Sequence, residues 1–243
     1  MTQAPADKRA KPAHPPQTRF PVVDNTLQVG GEPVTALAER ADGRAFYAYD
    51  GALMRERVAA LRAVLPAGVE LHYAMKANPM PAVVNHMASL TDGLDVASAR
   101  ELAIALASGT DPLDISFAGP GKSDEDLAAA VAAGVIIILE SPTELERVAA
   151  QAAHAAVDPR VAVRVNPDFE LKASGMKMGG GAKPFGVDAE RVPALAREII
   201  TAGCEWRGLH IFTGSQALDA DALIETQANV LDLADRLASE AGV

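Results

Sequence analysis

The chain has 243 residues, 49% of them hydrophobic and 22% charged, with a net charge of −10 from 32 acidic and 22 basic side chains. That is enough apolar material for one large α/β domain or two small ones, and the acidic balance argues against nucleic acid as the main partner. One cysteine, Cys204, excludes an intrachain disulfide; no segment is apolar enough to span a membrane and the N-terminus lacks the apolar region of a secretory leader, so a cytoplasmic location fits.

In chain order, residues 1–20 are rich in proline and read as a disordered tail. Ala45–Tyr49 predicts a strand, and Leu53, Val58, Leu61 and Leu65 have the spacing of a helix. Val69–Met75 is an apolar strand ending at Lys76, and a helix follows from Pro81 to Ser89. Leu94–Val96 opens the next unit. Ser98 and Glu101 form a capping box for a helix that stops at Gly109. Ile115–Phe117 is a strand. Ser123 caps an alanine-rich helix with Asp124, Glu125 and Asp126 in its first turn and Gly134 past its last.

Val135–Leu139 is wholly apolar, as a buried parallel strand requires. Ser141-Pro142-Thr143-Glu144 is a second capping box with proline at the first helical position. Val161–Val165 is a strand, followed by a glycine-rich loop that reads as a mobile cover over a site mouth. Then come a helix over Ala189–Ala202, a strand over Trp206–Phe212 and a last helix over Asp219–Ala241. Cys204 fits as a small filler in the turn between the helix over Ala189–Ala202 and the strand over Trp206–Phe212.

The units recur about every 20–26 residues, the period of strand-helix modules in a parallel sheet. A (β/α)8 TIM-like barrel fits best, with a doubly wound sheet as the alternative. Lys76, Asp95, Arg164 and the stretch after His210 all fall at C-terminal strand ends, where both folds place their chemistry. A lysine held in a partly dry pocket has a lowered pKa and forms a Schiff base with an aldehyde; at a strand end it also has the option of reaching to water. From Val69 onward six strands are present, where a closed barrel of this type has eight.

Four motifs then occur in order: Tyr73-Ala74-Met75-Lys76-Ala77-Asn78; Leu94-Asp95-Val96-Ala97-Ser98 with Glu101; Val163-Arg164-Val165-Asn166-Pro167; and Gly208-Leu209-His210-Ile211-Phe212-Thr213-Gly214-Ser215-Gln216. Together they resemble the fold-type III pyridoxal-phosphate enzymes, the family of diaminopimelate and ornithine decarboxylases, over roughly residues 20 to 243. The stretch from Asn166-Pro167-Asp168-Phe169 through Lys177-Met178-Gly179-Gly180-Gly181 to Pro184-Phe185-Gly186-Val187-Asp188 is similar to the subgroup associated with exosortase A gene clusters. It is also similar to decarboxylases of carrier-protein-bound amino acids.

The resemblance implies an alanine-racemase-type barrel with about six of its eight units. Residues 21–44 would belong to a mostly missing β domain, and 45–243 to the barrel. It implies pyridoxal 5′-phosphate as cofactor, an amino acid or aminoacyl carrier protein as substrate, a homodimer at full length, and neither nucleic acid nor membrane as partner.

By the same resemblance, Lys76 forms the internal aldimine and Asp95 is the acidic residue beside it. Arg164 lies near the cofactor's phenolic oxygen, and Gly214 and Ser215 belong to the turn that holds the phosphate. Each has a plainer reading: Asp95 as a carboxylate in a helix first turn, Arg164 as a strand-end salt bridge, Glu101 as a cap alone. Phe212 departs from the pattern, because that position is typically a histidine stacked on the pyridine ring. Phe212 stacks through its face but carries no proton. His210, two residues earlier on the same side of the strand, is either a site residue or a core histidine, and His72 reads as structural. His14, His86 and His154 have no metal-ligand spacing, so no metal is expected. The reaction implied is amino-acid decarboxylation. The alternatives are a racemase on the same barrel, a non-catalytic cofactor-binding protein, or an inactive fragment. The strand-seven phosphate loop and strand-eight carboxylate of the family have no counterpart in the sequence, so little turnover is expected of this chain alone.

Overall fold

The computed structural model describes residues 18–170, 174–177, 183–217 and 219–243. Most of the proline-rich tail and the glycine run at 179–181 lie outside the described residues. The chain divides into two units, residues 1–65 and 66–243.

In the first unit, β1 (Val22–Val23), β2 (Thr26–Val29) and β3 (Glu32–Pro33) form an antiparallel meander. Both of its turns are two residues long. Asp24 and Asn25 (φ 48° and 58°), then Gly30 and Gly31 (φ 62° and 80°), take the doubly positive φ that matches strand twist in tight hairpins. Helix α1 (Val34–Arg40) follows, then α2 (Gly51–Arg62), whose first turn is capped by the Asp50 carboxylate accepting from Ala52 N at 2.8 Å. The strand expected at Ala45–Tyr49 does not form: residues 44–50 have no regular structure and Tyr47 is 90% exposed. Its β-forming residues find no ladder among the described residues, and an unpaired extended segment meets its backbone polar groups with water.

The second unit alternates strands and helices: β4 (His72–Ala74), α3 (Pro81–Ala88), β5 (Gly93–Val96), α4 (Ala99–Ala107), β6 (Ile115–Phe117), α5 (Asp124–Ala133), β7 (Ile136–Leu139), α6 (Pro142–Ala155) and β8 (Arg160–Asn166). Then come β9 (Ser174–Lys177), β10 (Val187–Asp188), α7 (Val192–Thr201), β11 (Glu205–Ile211), β12 (Gly214–Ala217) and α8 (Ala220–Ala241). Strands β4, β5, β6, β7, β8 and β11 pair in that order and all in parallel. Sequential order is that of a (β/α)8 barrel; a doubly wound sheet reverses direction at a switch point. Six of the eight barrel strands are present among the described residues. Two pairings were not anticipated: β10 extends the β8 edge beyond the end of β7, and β12 pairs antiparallel with β9 in a separate ribbon.

The helices start where short polar side chains supply caps. Ser98, Ser123 and Ser141 accept from the N–H groups of Glu101, Asp126 and Glu144, and Ser123 with Asp126 completes a reciprocal box. Glu101 returns the favour one residue out, accepting from Ala97 N at 2.7 Å, so its capping reading is the one the geometry supports.

Strand alternation divides the sheet's residues between two faces. Leu94, Ile115, Phe117, Ile137, Leu139, Val161 and Val163 are fully buried on the helix-covered face, in one cluster with Leu102, Leu127, Val148 and Ile199. Each such side chain contributes roughly 1.5–3 kcal/mol by leaving water. Cys204 is buried between α7 and β11, where burial first, and Asp158 second, push its thiol pKa up. The bland reading of this cysteine as a filler agrees with its place.

Candidate active site

The other face of the sheet carries polar side chains beside Ile136, Ile138 and Ala162. Register partners in a parallel sheet share a face, so the pairings Ala74↔Asp95, Asp95↔Ser116 and His210↔Arg164 set these side chains on one surface. A bulge makes the last pairing. Glu205 pairs with Arg160, but β11 shifts register between Trp206 and Leu209, so His210 rather than Leu209 meets Arg164. Gly208, at φ +109°, absorbs the extra residue.

Lys76 lies two residues past the end of β4: the strand stops at Ala74, and Met75–Ala77 form a 3-10 turn that carries the lysine. Its strand was expected to run to Met75. Tyr73 Oη donates to Asn78 O at 3.1 Å, and the Asn78 side chain accepts from Met80 N at 3.0 Å, which closes the turn. Lys76 is exposed rather than held in a dry pocket. Its Nζ stands 5.5 Å from the centroid of the Phe212 ring, and the Arg164 guanidinium stands 6.0 Å from the same ring. Three residues the sequence nominated thus meet at one aromatic ring, a favourable place for cations.

Asp95 is held by two hydrogen bonds on one oxygen: Ser116 Oγ donates to Oδ1 at 2.7 Å and His72 Nδ1 donates to it at 3.3 Å. Burial pulls the Asp95 pKa up, but the bonds from His72 and Ser116 and the charges of His72 and His210 outweigh it and leave the carboxyl below its ordinary value. The bond to Asp95 is the largest cause that raises His72, partly offset by burial, with Glu70 adding to the rise. His72 therefore supports a site residue and is more than filler in its strand. Its ring has room only because position 93 lacks a side chain: a Cβ there would lie 2.7 Å from His72 Nε2 and would also collide with Asp114 O.

His210 sits between the charged groups. Burial, then the Arg164 charge, lower its pKa, with Lys76 adding to this and Asp95 and Glu140 opposing. Its Nδ1 is buried and has no hydrogen-bond partner among the described residues. An unpartnered nitrogen of this kind differs from that of a satisfied core histidine.

Arg164 makes the salt bridge that the plainer reading foresaw, and stays beside the site while doing so. Its Nη1 donates to Glu140 Oε1 at 3.0 Å, and its guanidinium lies over Phe185 at 4.7 Å. Glu140 and Lys122 were not singled out from the sequence, and Phe185 and Gly186 stood there only as part of a motif, with no role given to either. Lys122 is buried and donates to Gly119 O and Ile138 O, each at 2.8 Å, and to Glu144 Oε1 at 3.0 Å. Burial pulls its pKa down and Glu144 opposes this. Gly214 and Ser215, nominated for a phosphate turn, lie at the start of β12, paired with Lys177 and Met176 of β9.

A lysine, an arginine, an ionised aspartate and an aromatic ring stand at the C-terminal ends of sequential parallel strands, the end at which barrel enzymes place their sites. The donor set also fits a flat, anionic aromatic aldehyde: an amine to attach it, a ring face, cationic and acidic hydrogen-bonding groups, and one buried imidazole nitrogen left over. The chain belongs to the pyridoxal-dependent decarboxylases, because residues 52–243 match the pyridoxal-binding domain of that family.

It is 32% identical over 212 residues to L-glutamyl-[BtrI acyl-carrier protein] decarboxylase of Niallia circulans, covering 86% of this chain and 49% of that protein. It is 34% identical over 215 residues to diaminopimelate decarboxylase of Neisseria meningitidis, covering 86% and 52%. The crystal structure of diaminopimelate decarboxylase from Helicobacter pylori complexed with L-lysine superposes with a TM-score of 0.73 at 26% identity, covering 84% of this chain and 53% of that one. The chain spans about half the length of the relatives it matches. No helix among the described residues is long and apolar enough to cross a membrane.

Proposed function

We propose that the protein decarboxylates an amino acid with pyridoxal phosphate and that Lys76 is the residue to which the cofactor is attached. The observation that carries this is the convergence of Lys76 and Arg164 on the Phe212 ring, on the sheet face shared with Asp95 and His210. When bound, the cofactor supplies a sink for the electron pair left as carbon dioxide departs.

The residues divide the remaining work. Lys76 Nζ provides the amine for covalent attachment. Phe212 offers a flat apolar face and no proton, so no proton step passes through that position. Asp95, kept ionised by His72 and Ser116, accepts hydrogen bonds and keeps positive charge on its neighbours. Arg164 presents a fixed cation to an oxygen of the cofactor. His210 is neutral near pH 7 and offers Nδ1. Gly214 N–H and the Ser215 hydroxyl would hold the phosphate. Residues 21–44 belong to a second, β-rich domain, which the meander β1–β3 supports.

The substrate class is an amino acid, free or tethered to a carrier protein. The likeness to the glutamyl-carrier decarboxylase supports the tethered form. We further place the enzyme in the cytoplasm as a homodimer. Carbon dioxide release from the intact protein, supplied in turn with diaminopimelate, lysine, arginine, free glutamate and glutamyl-loaded carrier protein, tests the reading. Release from one of these, abolished by Lys76→Ala, is the expected result. Release that survives Lys76→Ala would contradict it.

A further inference from the structure

We propose that Glu140 is a positioning residue for the site: it fixes the Arg164 guanidinium and, through it, the grip on the bound cofactor. This holds only if Arg164 faces the cofactor as proposed above. Glu140 is the first residue after β7, and its side chain is 3% exposed. Its two oxygens gather donors from three separate segments. Oε1 accepts from Gly119 N at 2.9 Å, in the loop after β6, and from Arg164 Nη1 at 3.0 Å, on β8. Oε2 accepts from Gly186 N at 2.9 Å, just before β10.

An ionised carboxylate has only acceptors, so three N–H groups aimed at it are all satisfied; an amide of the same shape would turn an NH2 toward one of them. The carboxylate is itself anchored. Glu140 N donates to Glu144 Oε2 at 2.8 Å, and Lys122 holds the other oxygen of Glu144. Lys122 also takes Gly119 O, so the Gly119 peptide is gripped on its N–H by Glu140 and on its carbonyl by Lys122.

Arg164 is thereby held on two sides, by Glu140 at its Nη1 and by Phe185 against its plane, and the loop carrying Phe185 is tied to Glu140 through Gly186. With Glu140 gone, both constraints on the guanidinium loosen together, next to the Phe212 ring that Lys76 also faces. A buried hub that served stability alone would change melting and leave cofactor affinity to Arg164. A positioning residue changes affinity only while Arg164 is there to be positioned.

The test is a double-mutant cycle on the intact protein with Glu140→Gln, Arg164→Met and the double variant. It reads the pyridoxal phosphate dissociation constant by absorbance titration, with melting temperature and near-ultraviolet circular dichroism as checks on folding. Removing a group that orients a ligand-binding residue costs roughly 10- to 100-fold in affinity, the loss expected of each single variant. The double variant is expected to bind no worse than the weaker single, because the two residues act as one unit. Glu140→Gln binding within about twofold of wild type, or a double loss equal to the product of the singles, would overturn the proposal. Arg164→Met that binds normally would instead overturn the reading of Arg164 itself. Should Glu140→Gln not fold, Glu140→Asp, which keeps the charge but draws it back by one methylene, enters the same cycle with the same two outcomes.

Discussion

His72 stands four residues before Lys76 and ties that strand to Asp95 on the next one. Its pKa is raised above the ordinary 6.5, so its favourable contribution is full below that value and is lost as pH rises through the raised pKa. The Asp95 pKa is lowered below the ordinary 3.8, so its contribution is full above that value and is lost as pH falls through the lowered one. Both charges coexist between those limits. Replacing His72 by Gln is therefore expected to cost more stability at about pH 5.5 than at about pH 9, measured by urea unfolding of both proteins. An equal cost at both would mean that the pair is not an ion pair. The sequence made Lys76, Asp95, Arg164 and His210 legible, because each is a reactive type at the end of an apolar strand. It did not reveal their supports. Glu140 precedes the capping serine Ser141 and looks like part of a helix start; its partners lie 21, 24 and 46 positions away. Contacts at such separations leave no local pattern.

Elements whose signals are local were readable, and those whose partners are distant were not. Serine caps act on N–H groups three residues on, so α4, α5 and α6 start where Ser98, Ser123 and Ser141 say. The strands β5, β6, β7 and β8 are short apolar runs between turn residues and were found within a residue or two. The β9–β12 ribbon joins residues 37 to 43 apart and had no such mark. The run at 45–49 had strand composition but no partner strand among the described residues, in keeping with β-propensity as fit to a neighbouring strand rather than a preference of the backbone alone. The bulge in β11 is the element that decides the site, since it brings His210 onto the Arg164 face. A Cβ at Gly208 meets nothing within 4 Å, so Gly208→Ala tests the backbone alone. It is expected to lower stability by roughly 1–2 kcal/mol, the cost of positive φ for an L side chain. Unchanged urea unfolding would show that the bulge tolerates a different backbone.

At the scale of the molecule, six parallel strands in sequential order set one apolar face against helices and carry Asp95, Arg164 and His210 on the other. Alternation along each strand produces both faces at once: the residues that bury the core specify, by their spacing, where the polar ones stand. Lys76 is placed by the turn after the first of these strands, Asp95 by the second, Arg164 by the fifth and His210 by the sixth. The buried Lys122–Glu144–Glu140 chain braces the ends of the strands between them. Two lysines therefore lie near the C-terminal strand ends with opposite parts. Lys76 is exposed and faces the Phe212 ring, whereas Lys122 is spent on two carbonyls and a carboxylate. Incubating the protein with pyridoxal phosphate, reducing with borohydride and mapping the modified peptide by mass spectrometry separates them. A pyridoxyl group on Lys76, with Lys122 unmodified, is the result this account predicts; no adduct, or an adduct on Lys122 in place of Lys76, would contradict it.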